Sequence, residues 1–255
     1  MGGELKRITI GFAVRGDSRE RMENLVCNIN YLLRFSYLDI DIIEADKSQH
    51  LYVFPHPRIQ YTFIEDNMKA FHRAYYMNLI LRRANHSVVG LWDVDVVLPE
   101  YQIICGINKI HNGSTLCFPY KKEFRFLNQE ESIRFRLNNS MQLTPDMGFS
   151  MMNRPSFGGA FLVNKERYLQ VGGENENFYG WAPDDVERVK RLEILEEPID
   201  RTEGLLFHLY HPVHTPDTSL LLHNKKVLLD VCQMSKTDLM FLISKRHGMF
   251  HYINV

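Results

Sequence analysis

The chain has 255 residues, 45% hydrophobic and 24% charged, enough apolar material for a full core and near the upper size of one domain. Thirty basic against thirty-one acidic residues give a formal charge of -1, without the electrostatic excess that nucleic-acid binding requires. The opening MGGELKRITIGFAV is too short in apolar residues for a signal peptide, and no later stretch approaches the roughly eighteen of a membrane span, so a cytoplasmic chain without a transmembrane segment is expected.

The first element is a β-rich run, ITIGFAV (Ile8 to Val14). In the following RGDSRERMENLVCNINYLLRF, Met22, Leu25, Val26, Ile29, Leu32 and Leu33 recur at helical spacing. This pattern predicts strand, turn and amphipathic helix, with Asp17 and Glu20 as the capping pair. DIDIIEAD (Asp39 to Asp46) predicts a second strand, EDNMKAFHRAYYMNLILRRAN a second helix, and SVVGLWDVDVV a third strand. Such alternation predicts a parallel sheet covered by helices, with ligands at the carboxyl ends of the strands. The scattered Cys27, Cys105, Cys117 and Cys232 have neither metal-ligand pairing nor disulfide-scaffold density, and read as reduced core thiols.

LWDVDVVLPE places two carboxylates, Asp93 and Asp95, after an apolar run. Residues two apart on a strand share a face, so the pair would point the same way and invite a divalent cation, which can in turn hold a diphosphate. An acidic strand end can equally be solvated surface, so the pair needs support from elsewhere in the chain. FGGAFLVNKERYLQVGGENENFYGWAPDDVERVKRL, Phe157 to Leu192, supplies it. The Gly158-Gly159 pair permits close backbone approach, AFLVN reads as a strand and KERYLQVG as a helix. Asp184 and Asp185 follow Pro183, where a helix N-terminus stabilises negative charge and where helix capping is a common use of such acids. Tyr179 and Trp181 beside them would form a platform for a sugar face, with burial in the core as the alternative.

Phe157 to Leu192 resembles the C-terminal half of the catalytic domain of β-1,4-galactosyltransferases, a family with relatives among chondroitin-synthesising enzymes and polypeptide N-acetylgalactosaminyltransferases. The family pattern is a glycine pair, a strand and helix, then Trp-Gly-Gly-Glu-Asp and further acids. GWAPDDVE fits it with Ala182-Pro183 in place of the glycines and Asp184 in place of the glutamate. FHRAYYMN (Phe71 to Asn78) is similar to the family's Phe-Asn-Arg-Ala segment, FAVRGDSRERMENL to its opening strand and basic turn, and LLFHLYHPVH to its closing strand. The likeness spans residues 8 to 214 in pieces, in the correct order.

The resemblance implies an α/β fold of the GT-A type, a Rossmann-like α/β/α sandwich with a mostly parallel central sheet. It implies one catalytic domain over 1–255, with a nucleotide-binding half at 5–100, an acceptor half at 115–215 and a helical appendage at 216–255. A metal-dependent enzyme using Mn2+ (or Mg2+) and a UDP-sugar donor is expected, acting on a glycan or lipid-linked glycan acceptor. Arg15, Phe71 and Arg73 are implied at the nucleotide, with Arg19 a lesser candidate, and Gly159, Trp181 and Asp184 beside them. Asp95 and a histidine are implied at the metal, with Asp93 there or on the ribose. Asp185 is implied as general base of an inverting transfer, because retaining relatives carry Asn at that place.

On a continuous strand His208 and His211 would face opposite sides, so both could meet one ion only through a bend, and His208 is preferred. His208, His211 and His214 together could suggest zinc, which Pro212 argues against. Residues 121–156 have weak periodicity and read as a mobile lid or an ordinary surface loop. The segment after Pro216 reads as one or two helices that pack on the domain or form a homodimer contact. A bacterial enzyme of surface-glycan synthesis, cytoplasmic or peripheral to the inner membrane face, is expected, because the chain shows neither anchor nor obvious disulfide pairing. The rival classes are a metal-dependent nucleotidyltransferase, which has no use for the Trp181 to Asp185 loop, and a non-catalytic sugar-nucleotide or glycan binding module.

Overall fold

In the computed structural model, which describes residues 6–52, 55–121, 123–150, 156–212 and 218–251, the first strand lies where the sequence puts it. β1 (Ile8–Val14) is buried at all seven positions, as a strand covered on both faces must be. It leads into α1 (Arg19–Leu32) and pairs parallel with β2 (Leu38–Asp46), from Ile8 opposite Leu38 to Val14 opposite Glu44. The cap of α1 is Ser18, whose side chain accepts from the Arg21 amide, and not Asp17. Asp17 instead takes the Arg21 guanidinium at 2.6 Å.

β3 (Ile59–Glu65) adds to the far side of β2 as a parallel edge strand. None of its seven residues is fully buried, so it leaves no apolar run in the sequence. α2 (Arg73–Arg83) is shorter than expected. Glu65 still belongs to β3, and the Asp66 carboxylate accepts the Met68 amide at 2.8 Å, turning the chain before any helix can begin. Gly11 lets α2 approach β1 closely, since a Cβ there would come within 2.5 Å of Ile80.

The expected third strand divides in two. β4 (Val88–Trp92) pairs parallel with β1, Asp93 to Asp95 form a turn, and β5 (Val96–Val97) enters a different sheet. α3 (Glu100–His111) leads to β6 (Leu116–Phe118). Residues 121–156 hold β7 (Phe124–Phe126) and α4 (Gln129–Leu137), the latter closed by an Asn128/Glu131 capping box. The part at 151–155 lies outside the described residues.

β8 (Ala160–Asn164), α5 (Lys165–Gln170), α6 (Asp184–Ile194), β9 (Ile199–Arg201) and β10 (Leu206–His208) follow. Among the described residues, seven strands form one sheet in the order β3-β2-β1-β4-β8-β6-β9, parallel except where β8 pairs with β4 and β6. A second sheet, β5-β10-β7, stands at the carboxyl end of β4. The core includes Ile10, Phe12, Leu91, Phe118 and Phe161, each at most 1% exposed. Burying one such side chain contributes roughly 1.5–3 kcal/mol against about 1 kcal/mol for a cap, so sheet burial decides where the elements lie.

α7 (Leu221–Cys232) and α8 (Lys236–His251) make up the expected helical end. Leu239 and Ile243 of α8 pack with Leu195 in a small second core. Cys27 and Cys117 are buried thiols, pushed up to about 11 and about 12 by desolvation, whereas Cys105 and Cys232 are exposed and do not belong to the core. Among the described residues, no helix is long and apolar enough to cross a membrane.

Candidate active site

The turn after β4 sends its two carboxylates in different directions. Asp95, 3% exposed, faces two imidazoles: its oxygens lie 3.4 Å from His208 Nε2 and 3.3 Å from His211 Nε2. The three candidate donor atoms lie within 4.8 Å of one another. Both histidines therefore belong, against the preference for His208 alone. The strand parity that separates them ends with β10 at His208, after which the Leu209 amide donates to Asp95 O (2.7 Å) and the Tyr210 amide to Ser132 Oγ (2.8 Å). This bend is what turns His211 inward. His211 Nδ1 donates to Pro212 O at 2.9 Å, which orients the ring with Nε2 toward Asp95. His214 lies outside the described residues.

Burial opposes ionisation of Asp95, but His208, Arg21 and His211 outweigh it and hold the carboxyl below its ordinary value. Arg21 Nε sits 3.2 Å from Asp95 Oδ2, so a cation from α1 closes the cluster. Sequence reasoning passed over Arg21 in favour of Arg15 and Arg19. Arg19 is solvent-exposed and pairs with Glu23 one turn away, outside the site.

Asp93 does not join the histidine cluster, contrary to its expected place on a shared face with Asp95. Its carboxylate takes Arg73 at 2.5 Å and its amide donates to Gly159 O at 2.7 Å. Desolvation, with Asp95 and Asp185 nearby, raises its pKa despite Arg73. Arg73 also reaches Asp184 at 3.1 Å, joining the end of β4 to the start of α6. Asp184 is pushed up to about 7 by burial and by its neighbour Asp185.

Asp185, one-third exposed, is tied to Arg188 at 2.8 Å. Arg188 is fully buried, stacks 4.0 Å over Phe161, and makes a two-point pair with Glu174 at 2.9 and 2.7 Å. The glycine pair fits this arrangement. A Cβ on Gly158 would come 2.5 Å from Asp185 Oδ2, and Gly159, at φ +82, would drive one into Phe124 at 2.7 Å.

Beyond Arg73, at the carboxyl ends of β1 to β3, Arg15 pairs with Asp66 at 2.6 Å and lies 5.2 Å from the centre of the Phe71 ring. Phe71 stacks on Tyr76, whose hydroxyl donates to Asp66 at 2.9 Å. Trp181 is 71% exposed, which rules out the buried-core alternative for its ring. Tyr179 stacks on His72, centroids 4.4 Å apart.

Residues 141–215 match the family model described as the N-terminal domain of galactosyltransferase. The α/β fold is that of GT-A galactosyltransferases. The matched segment holds Gly159, Trp181, Asp184, Asp185, His208 and His211, whereas Arg73, Asp93 and Asp95 precede it. Among solved structures, the catalytic domain of Drosophila β1,4-galactosyltransferase 7 in complex with xylobiose is 13% identical, with 92% of this chain and 84% of that one covered at a TM-score of 0.50. A mutant of the Drosophila enzyme in complex with manganese, UDP-Gal and xylobiose, also 13% identical, covers 86% of this chain and 79% of its own at a TM-score of 0.48. No curated protein matches the chain by sequence.

Proposed function

We propose that the chain, as one catalytic unit over 1–255, is a metal-dependent inverting glycosyltransferase. It moves a hexose or N-acetylhexosamine from a UDP-sugar to a hydroxyl of a glycan or lipid-linked glycan. The observation that carries this reading is the different setting of two carboxylates: Asp95 sits among two imidazoles, and Asp185 stands one-third exposed against Gly158, four residues after an exposed tryptophan.

The donor set fits a divalent cation. One carboxylate held anionic and two imidazoles, one with its ring oriented by Pro212, form a mixed oxygen and nitrogen set that favours Mn2+ over calcium. Asp95, His208 and His211 would hold the ion, which when bound neutralises charge on a departing nucleoside diphosphate. Arg21 adds a fixed positive charge beside the same place, and Arg15 with Phe71 offers a cation and an aromatic edge for the nucleoside. Arg73 bridges Asp93 and Asp184, tying the turn after β4 to the start of α6.

Asp185 takes the proton from the acceptor hydroxyl as that oxygen attacks the anomeric carbon from the face opposite the leaving diphosphate, which inverts the centre. Its Oδ1 is held by Arg188, and Gly158 leaves Oδ2 room. Trp181 presents a ring to the sugar. Calorimetry with a panel of uridine and guanosine diphosphate sugars, with and without manganese, tests the reading. Manganese-dependent binding of one uridine donor is expected, and failure to bind any donor in either condition would overturn it.

A further inference from the structure

The C-terminal helices lie beyond the segment that matches galactosyltransferases, yet α7 reaches into the loop that carries Trp181. Asn224 on α7 is fully buried, and its amide is spent on that loop. Its Nδ2 donates to Tyr179 O at 2.9 Å and to Trp181 O at 3.1 Å, while its Oδ1 accepts the Tyr179 amide at 3.4 Å. A side-chain amide here does for the main chain what a neighbouring strand would do. The adjacent His223 bonds Asn177 O at 2.8 Å, and its ring lies 6.1 Å from that of Tyr179.

Gly180 lies between the two carbonyls that Asn224 holds. Its φ of +62 makes a left-handed turn, its amide donates to Phe71 O at 3.0 Å, and the Leu220 side chain lies 3.9 Å from where its Cβ would be. The loop is thus fixed from one side by the segment that bears Phe71 and from the other by α7. Trp181 itself has its main chain held and its ring 71% exposed. An exposed aromatic binds more tightly when its backbone is already ordered, since ordering it on binding would cost affinity.

We infer that Asn224 is a positioning residue for the acceptor platform, acting through the main chain of Tyr179 to Trp181. The inference rests on the reading of Trp181 as a sugar platform. It also draws α7 into the specificity of the site, because whatever sugar stacks on Trp181 meets a ring whose place is set from the C-terminal end.

The test uses the full chain with Asn224→Ala and Asn224→Asp, the second keeping the volume but removing both N–H donors. Trp92 is buried, so the anisotropy difference between wild type and Trp181→Phe isolates the Trp181 signal. Both Asn224 variants are expected to lower that anisotropy and to raise the acceptor KM about 10-fold, measured over a panel of methyl β-glycosides, with manganese-dependent UDP binding unchanged. A folded variant with unchanged anisotropy and unchanged acceptor KM would overturn the inference. Trp181→Ala separates the two readings. If it leaves acceptor KM unchanged, the platform reading falls whatever Asn224 does; if it raises KM while the Asn224 variants do not, the inference alone falls.

Discussion

Glu174 offers a quantitative handle on the start of α6. It is 2% exposed, meets Arg188 through two hydrogen bonds, accepts the Tyr168 hydroxyl at 2.5 Å, and sits one residue after the left-handed Gly173. Burial works against its charge, but Arg188 and the Tyr168 hydroxyl hold it at about 2 against an ordinary 4.5. Holding the carboxyl at about 2 rather than 4.5, at roughly 1.4 kcal/mol per tenfold change, corresponds to roughly 3–4 kcal/mol of stability. The cost of breaking a buried ion pair, roughly 3–5 kcal/mol, agrees with it. A carboxyl with a depressed folded pKa contributes fully above its unfolded value of 4.5, and the contribution is lost as pH falls toward about 2. Glu174→Gln should therefore lower Tm at neutral pH by roughly 6–16 °C, at about 2–4 °C per kcal/mol for a chain this size. The difference from wild type should shrink as the pH of the thermal scan is taken below about 4.5. In Glu174→Gln/Arg188→Met both charges are gone, so much of the stability should return, while Asp185 loses its 2.8 Å partner and transfer stays slow. A Tm for Glu174→Gln within about 2 °C of wild type at neutral pH would refute the reasoning.

Three further outcomes can be measured on the same site. Asp185→Asn should keep the fold and manganese-dependent donor binding while transfer drops by about 10²–10⁴; near-normal turnover would remove Asp185 from the base role. Asp95→Ala and His211→Ala should each weaken manganese binding by more than about 10-fold, read by calorimetry, and unchanged affinity in His211→Ala would restore a site built on His208 alone. Asp184, raised to about 7, stabilises the fold in its protonated form, and that contribution is lost as pH climbs from its ordinary 3.8 through about 7. The Tm of Asp184→Asn relative to wild type should thus rise between about pH 5 and about pH 8, and a difference independent of pH would speak against the shift.

The elements most legible in the sequence are those buried on both faces. β1, β2 and β4 appear as apolar runs because a parallel sheet hides both sides of a strand, whereas β3, half-exposed at the edge, leaves no such run. α4 is written in its Asn128/Glu131 capping box, a signal passed over because the segment around it is polar. Among site residues, Arg73, Asp93, Gly159, Asp184 and Asp185 share one set of contacts, Asp95 and His208 belong to a second cluster, and Arg15 and Phe71 to a third. His211 escapes because period-two reasoning holds only while a strand continues, and β10 stops three residues earlier. Glu174 and Arg188 escape for another reason: fourteen residues separate them, and only the turn from α5 to α6 brings the pair together.

The charges along that set do not balance, and the imbalance has a use. Arg73 serves both Asp93 and Asp184, and Arg188 serves both Glu174 and Asp185, so four carboxylates share two guanidinium groups. Glu174 takes the better share, with two hydrogen bonds, and is driven down to about 2. Asp184, 3.9 Å from Arg188 and beside Asp185, takes the poorer one and is driven up to about 7. Asp95 stands apart from this ladder, supplied by Arg21 and two imidazoles, and stays below its ordinary value. Neighbouring carboxylates whose environments push them in opposite directions are suited to different tasks. An anion that remains ionised is ready for a cation, and a carboxyl that shares a proton near neutrality spares Asp185 a second full negative charge at its side. Replacing Arg188 therefore reaches beyond packing, because it withdraws the one guanidinium that Glu174 and Asp185 share.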